Sequence, residues 1–146
     1  IFKMDKVIVV YWSQTGNTEM MANAIGEGAK EAGKEAVVVT PDKASLDDLK
    51  AAKAFALGCP AMGAEVLEEA EMEPFVCDVE KFVGGKSIVL FGSYGWGDGQ
   101  WMRDWVDRMS AAGANILGNE GIMAHETPDE AVLDECKAVG KQLASL

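Results

Sequence analysis

The sequence predicts an α/β protein in which a parallel sheet carries helices on both faces. Three observations lead there. Five short apolar runs alternate with stretches whose apolar residues recur at helical spacing, and parallel strands need a covering, right-handed crossover between them. The first run, residues 6–11, is a continuous β-branched segment, as expected of a strand buried on both faces. Three segments fit neither pattern: 13–18, 59–65 and 92–99. They follow the first, third and fourth runs, and open parallel sheets bind ligands beyond the carboxyl ends of their strands.

Taken in order, residues 18–32 form a helix with Met21, Ile25, Gly28 and Ala32 on one side and Gly33 as its stop. Residues 35–40 form the second strand, ended by Pro41. Residues 46–52 make a short helix with Ser45 as N-cap. Residues 54–58 are the third strand, and a long irregular connection runs over 59–73. A helix over 75–83 leads through Gly84 and Gly85 to the fourth strand, 87–91. The helix over 100–112 lines up Met102, Trp105, Val106 and Met109. A weak fifth strand, short and poor in β-branched residues, lies near 115–118. The last helix begins at Pro128, a favoured first residue, with Val132, Cys136, Val139 and Leu143 inward. No repeat, low-complexity stretch or linker interrupts the pattern, so residues 4–146 are expected to form one domain. Ile1, Phe2 and Lys3 precede Met4 and are read as a remnant of cloning.

The 146 residues are 49% apolar and 25% charged, a globular composition. Acidic residues outnumber basic ones 24 to 13, for a formal charge of −11. That argues against nucleic acid, where Lys and Arg must neutralise phosphates, and against anionic membrane surfaces. The longest strictly apolar run, residues 7–12, is far too short to span a bilayer, and no secretory signal opens the chain. Cys59, Cys77 and Cys136 are odd in number and lack CxxC spacing. Neither a disulfide framework nor a zinc ribbon is indicated, and a cytoplasmic location is expected. His125 is the only histidine.

Each of the three odd loops carries chemistry. Ser13, Gln14, Thr15, Gly16, Asn17 and Thr18 lead into a helix start, where backbone N–H groups and the macrodipole bind phosphate without a cation. A nucleotide-hydrolysing P-loop would need a Lys that is absent here. The bland alternative is an ordinary helix cap. The loop after the fourth strand interleaves four glycines with Tyr94 and Trp96, which suggests a stacking surface for a planar ring. Alternatively Trp96 caps the core and the glycines only make turns. In the loop after the third strand, Met62 is a polarizable side chain able to pack on a ring, or else core filler. Glu65 is an acceptor for a ring N–H, or else a solvated carboxylate. Jointly the loops outline a pocket with a phosphate end and a flat aromatic end.

Residues 11–18, 58–63, 91–99 and 101–105 closely resemble the short-chain flavodoxins of anaerobic bacteria, and the likeness covers nearly the whole chain. The resemblance implies a flavodoxin-like three-layer sandwich with a five-stranded parallel sheet in the order 2-1-3-4-5; that order comes from the family, not from the residue pattern. It implies non-covalent FMN and a low-potential one-electron carrier between redox enzymes, rather than an enzyme. Ser13, Gln14, Thr15, Gly16, Asn17 and Thr18 would hold the phosphate. Pro60, Ala61, Met62, Gly63, Ala64 and Glu65 would line the inner side, with Met62 on the ring and Glu65 at its N3. Ser93, Tyr94, Gly95, Trp96, Gly97 and Asp98 would line the outer side, with Trp96 stacked on the ring. The Gly63–Ala64 carbonyl would turn toward N5 on reduction and accept a hydrogen bond from the neutral semiquinone. Three positions depart from close relatives: Gln14 for Gly, Pro60 for Ser, and Ala64 for Gly, Asn or Asp. A Cβ at Ala64 penalises positive φ.

Seven acidic residues and no basic one fall between 61 and 80. Acidic runs are usually solvated faces. Beside a redox ring, one carboxylate at ~10 Å raises the reduced anion by roughly 0.4–1.7 kcal/mol. That is about 20–70 mV for one electron before screening, so the second reduction is pushed to low potential. The same charge steers electropositive redox partners into transient, salt-sensitive complexes, and a monomer is expected. Three rivals are weaker. An FMN-dependent reductase needs room above the ring. A receiver domain needs an Asp where Gly58-Cys59 stand, and a Ser93–His125 hydrolase lacks a nucleophile elbow.

Overall fold

The computed structural model describes residues 6–146, so the reading of residues 1–3 lies outside the described residues. Strand β1, Lys6–Tyr11, and strand β3, Ala54–Gly58, have the expected bounds. Between them lie α1 (Asn17–Glu31), β2 (Glu35–Val39) and α2 (Leu46–Ala51). Ser45 caps α2 as expected, accepting from the Asp48 N–H at 3.2 Å. The second half contains α3 (Met72–Glu80), β4 (Ser87–Tyr94), α4 (Gln100–Ala111), β5 (Asn115–Ile116), β6 (Ile122–His125) and α5 (Glu130–Ala144).

The sheet runs β2-β1-β3-β4-β5, all parallel, and β6 also pairs with β4. Its alternation explains the continuous apolar runs. Ile8, Val10, Phe55, Leu57, Ile88 and Leu90 enter one core with side chains of α2, α3 and α4. Val7, Val9, Ala56, Val89 and Phe91 enter the other with α1 and α5.

Several expectations need correction. The fifth strand position is filled twice: β5 pairs with Ser87 and Ile88, and β6 with residues 91–94. Strand β4 runs through Tyr94 rather than ending at Phe91. Ser93 and Tyr94 are therefore strand residues, and the loop begins only at Gly95. Ala32, placed on one side with Met21, Ile25 and Gly28, is exposed while those three are buried. Pro128 precedes the helix: Asp129 is the N-cap of α5 and accepts from the Val132 N–H at 2.9 Å.

Helix α3 starts at Met72, three residues earlier than its apolar spacing suggests, because Glu68 holds its entry. The Glu68 side chain is 9% exposed and accepts from the N–H groups of Ala70, Glu71 and Met72 at 2.7, 2.7 and 2.9 Å. Burial pushes its pKa up, but the three donors outweigh that and hold the carboxyl below its usual value. Stability gained this way is present above the unfolded pKa of ~4.3 and is lost as pH falls through the folded pKa. Glu68→Gln should therefore cost about 1.5–3 kcal/mol at neutral pH, since an amide cannot accept three such bonds. In urea titrations the gap between variant and parent should narrow below pH ~4; a gap independent of pH would contradict this role.

Candidate functional site

The carboxyl ends of β1, β3 and β4 feed the three unusual loops, and backbone bonds draw them together. Trp12 N–H donates to Gly58 at 3.0 Å, Cys59 N–H to Phe91 at 3.1 Å, and Ala61 N–H to Ser93 at 3.0 Å.

In the first loop, Gly16 is the N-cap of α1 and adopts φ 97°, which a Cβ would disfavour. Having no side chain, Gly16 leaves the capping to Ser13. The Ser13 Oγ accepts from Gly16 N–H at 3.2 Å and Glu19 N–H at 3.3 Å, which leaves its own O–H to donate outward. The Asn17 and Thr18 N–H groups, first of the helix, have no intrahelical acceptor. Gln14 and Thr15 are exposed. Thr18 points the other way: its hydroxyl meets Ser93 Oγ at 2.9 Å, and both residues are buried. That bond ties α1 to β4 and occupies two hydroxyls expected to face a ligand.

In the second loop, Met62 and Val66 exchange backbone bonds at 2.9 and 3.1 Å around a turn at Gly63, Ala64 and Glu65. Positive φ falls on Gly63 and Glu65, at 30° and 62°, and not on Ala64. Met62 is partly exposed rather than core, as are Pro60 and Ala61. Glu65 is no solvated carboxylate. Its Oε2 accepts from the Trp101 N–H at 2.8 Å and so caps α4 from another loop. The φ of 91° favours glycine at Gly97, and a Cβ there would stand 2.0 Å from Glu65 Oε1 and push that carboxylate aside.

The third loop is held but not buried. Arg103 donates to the Asp98 carbonyl and carboxylate, both at 3.0 Å. Trp96 is 76% exposed, so it does not cap the core. Tyr94 lies 5.5 Å from Trp101, whose indole N–H donates to Cys59 at 3.1 Å.

Charge around the site is less uniform than the run of acids implies. Arg108 of α4 pairs with Glu73 and Glu80, each at 2.7 Å. Asp78 faces Lys81 at 3.5 Å, and Glu68 serves the backbone. Glu69 and Glu71 remain exposed. Burial pushes the Cys59 and Cys136 thiols up to about 12, so both stay protonated and unreactive. The Ser93–His125 pair does not form: Ser93 meets Thr18, and His125 meets the Gly95 carbonyl at 3.0 Å.

His125 is the site neighbour that sequence reasoning missed. Its strand is four residues long, Ile-Met-Ala-His, with Ile122 and Ala124 buried and the other two exposed. That alternation was the available signal, and it is too short to stand out.

Comparison with known proteins agrees with this geometry. The flavodoxin family profile matches residues 9–140. The chain is 46% identical over 138 residues to a flavodoxin of Clostridium beijerinckii, covering 94% of this chain and 99% of that one. Identity to a flavodoxin of Megasphaera elsdenii is 44% over 138 residues, with 94% and 98% covered. The solution structure of two-electron reduced Megasphaera elsdenii flavodoxin superposes with a TM-score of 0.86 at 43% identity, covering 96% of this chain and 99% of that one. The chain thus belongs to the flavodoxin family of FMN-binding electron carriers.

Proposed function

We propose that FMN lies across the carboxyl edge of the sheet, its phosphate at the start of α1 and its ring between Met62 and Trp96. The observation that carries this placement is Trp96: a large indole 76% exposed on a loop whose neighbours are pinned. An indole held in water by a fixed frame suits a planar partner. The residues present fit the group. Ser13 O–H and the first N–H groups of α1 supply phosphate donors without a cation. A Cβ at Gly16, Gly63 or Gly95 would meet no heavy atom within 4 Å, so the backbone is open in all three loops.

Bound FMN supplies two successive one-electron steps. This chain's residues set where they occur. Glu65 Oε1 is free to accept a ring N–H while Oε2 caps α4. Met62 and Trp96 exclude water from the two faces. Arg103 is committed to Asp98, and the three loops contribute no Lys or Arg. Added negative charge therefore meets little compensation, which lowers the potential of the second step. The test is a stepwise anaerobic reduction followed by absorption. Two resolved one-electron steps and one FMN per chain support the reading; a colourless protein that refuses added FMN overturns it.

The partners we infer are electropositive redox proteins docking transiently on a cytoplasmic monomer. Exposed Glu69 and Glu71 follow the second loop, while Lys34, Lys53 and Lys86 precede strands at the opposite edge. This polarity presents the flavin end to a cationic partner. The rate of electron transfer to a basic haem protein should fall about tenfold or more as the Debye length shrinks from ~30 Å to ~8 Å. A rate indifferent to salt would remove the steering.

A further inference from the structure

We propose that His125 is the positioning residue of the Trp96 loop, aiming the indole by fixing the Gly95 carbonyl. The inference rests on the placement of FMN against Trp96.

The chain leaves the sheet at the end of β4, and β6 holds the point of departure. Two successive carbonyls are anchored there. Tyr94 O accepts from the Glu126 N–H at 2.7 Å, and Gly95 O faces His125 Nε2 at 3.0 Å. A carbonyl can only accept, so Nε2 carries the proton in either charge state of the ring.

Although exposed, the imidazole is held in orientation. Its ring lies 5.0 Å from Tyr94 at 42°, and Tyr94 lies 5.5 Å from Trp101 at 48°. Trp101 is buried and bound through its indole N–H to the Cys59 carbonyl. His125 therefore stands at the end of an aromatic series rooted in the core. At the far side, the loop is fixed by the Glu65 cap and the Arg103–Asp98 pair. Trp96 sits between the two anchors. Gly95 has no side chain to fix itself, and its surroundings are open. Without the imidazole the Gly95–Trp96 peptide is free to rotate, and the indole with it.

The test compares His125→Ala with His125→Gln, whose amide N–H reaches about as far as Nε2. FMN affinity is read by flavin fluorescence quenching, and loop order by amide exchange of residues 96–99 in the FMN-free protein. His125→Ala should weaken FMN binding about two- to tenfold, the range of one hydrogen bond, and speed exchange in the loop. His125→Gln should restore both. On a Trp96→Ala background, His125→Ala should add little, because it acts through the indole. An alanine variant equal to the parent, a glutamine variant as damaged as alanine, or full additivity with Trp96→Ala overturns the inference. Trp96→Ala binding FMN like the parent would instead bring down the stacked placement, and this inference with it.

Discussion

Trp96→Ala is expected to weaken FMN binding about ten- to a hundredfold, the value of ~1–3 kcal/mol for one aromatic stack. The reasoning starts from exposure. With 76% of its surface in water, the indole contributes to neither core cluster, so the FMN-free variant should melt within about 1–2 °C of the parent. Its value appears only when a ring covers it. Losing the indole also admits water to one face of the ring. Water solvates added negative charge, so the lower of the two midpoint potentials should rise. Trp96→Phe keeps a smaller aromatic face and should fall between. Affinity and potentials both equal to the parent's would remove Trp96 from the site; a large fall in melting temperature would mark it as a structural residue instead.

How much of this was legible depends on whether the determining contacts are local. The bounds of β1 and β3 follow from their own apolar runs, and the caps at Gly33 and Ser45 from single residues. Strand β4 is different. Gly92, Ser93 and Tyr94 have the composition of a turn, yet they form strand because β6 pairs with them on one side and the Ala61 N–H bonds Ser93 on the other. Gly92 serves close approach there rather than turning: a Cβ would stand 2.1 Å from the Cys59 carbonyl oxygen. Glycine as turn and glycine as contact read alike in a sequence. The start of α3 was hidden for a similar reason, since Glu68 looks like one acid among several until its three N–H partners are seen. At the site, the motif residues were legible as types and places. Their pairing was not. The Thr18–Ser93 bond spans 75 positions, the Glu65–Trp101 cap 36 and the His125–Gly95 contact 30, and such bonds exist only once the sheet has assembled.

Gly140→Ala is expected to be among the most destabilising single changes in the chain, although alanine normally improves a helix by ~0.5–1 kcal/mol over glycine. The sign reverses because α5 and α1 are in backbone contact. A Cβ at Gly140 would lie 2.0 Å from the Ile25 carbonyl oxygen, and one at Gly28 would lie 2.0 Å from that of Lys137. Main-chain atoms inside two helices cannot step aside as a side chain can, so the helices must separate along their contact. Overpacking of this kind costs about 1–3 kcal/mol or more, which at ~2–4 °C per kcal/mol for a chain of this length is a fall in melting temperature of about 2–12 °C. Gly26→Ala is the control. Its Cβ would meet Val38 Cγ2 at 2.7 Å, the end of a side chain, and the loss should be smaller. The consequence reaches the cofactor because α1 carries the proposed phosphate site at its first turn. Moving α1 off α5 strains the Thr18–Ser93 bond that registers that turn against β4. Folded Gly140→Ala should thus bind FMN more weakly than folded Gly26→Ala; equal affinity would mean that the turn holds its place independently of helix packing.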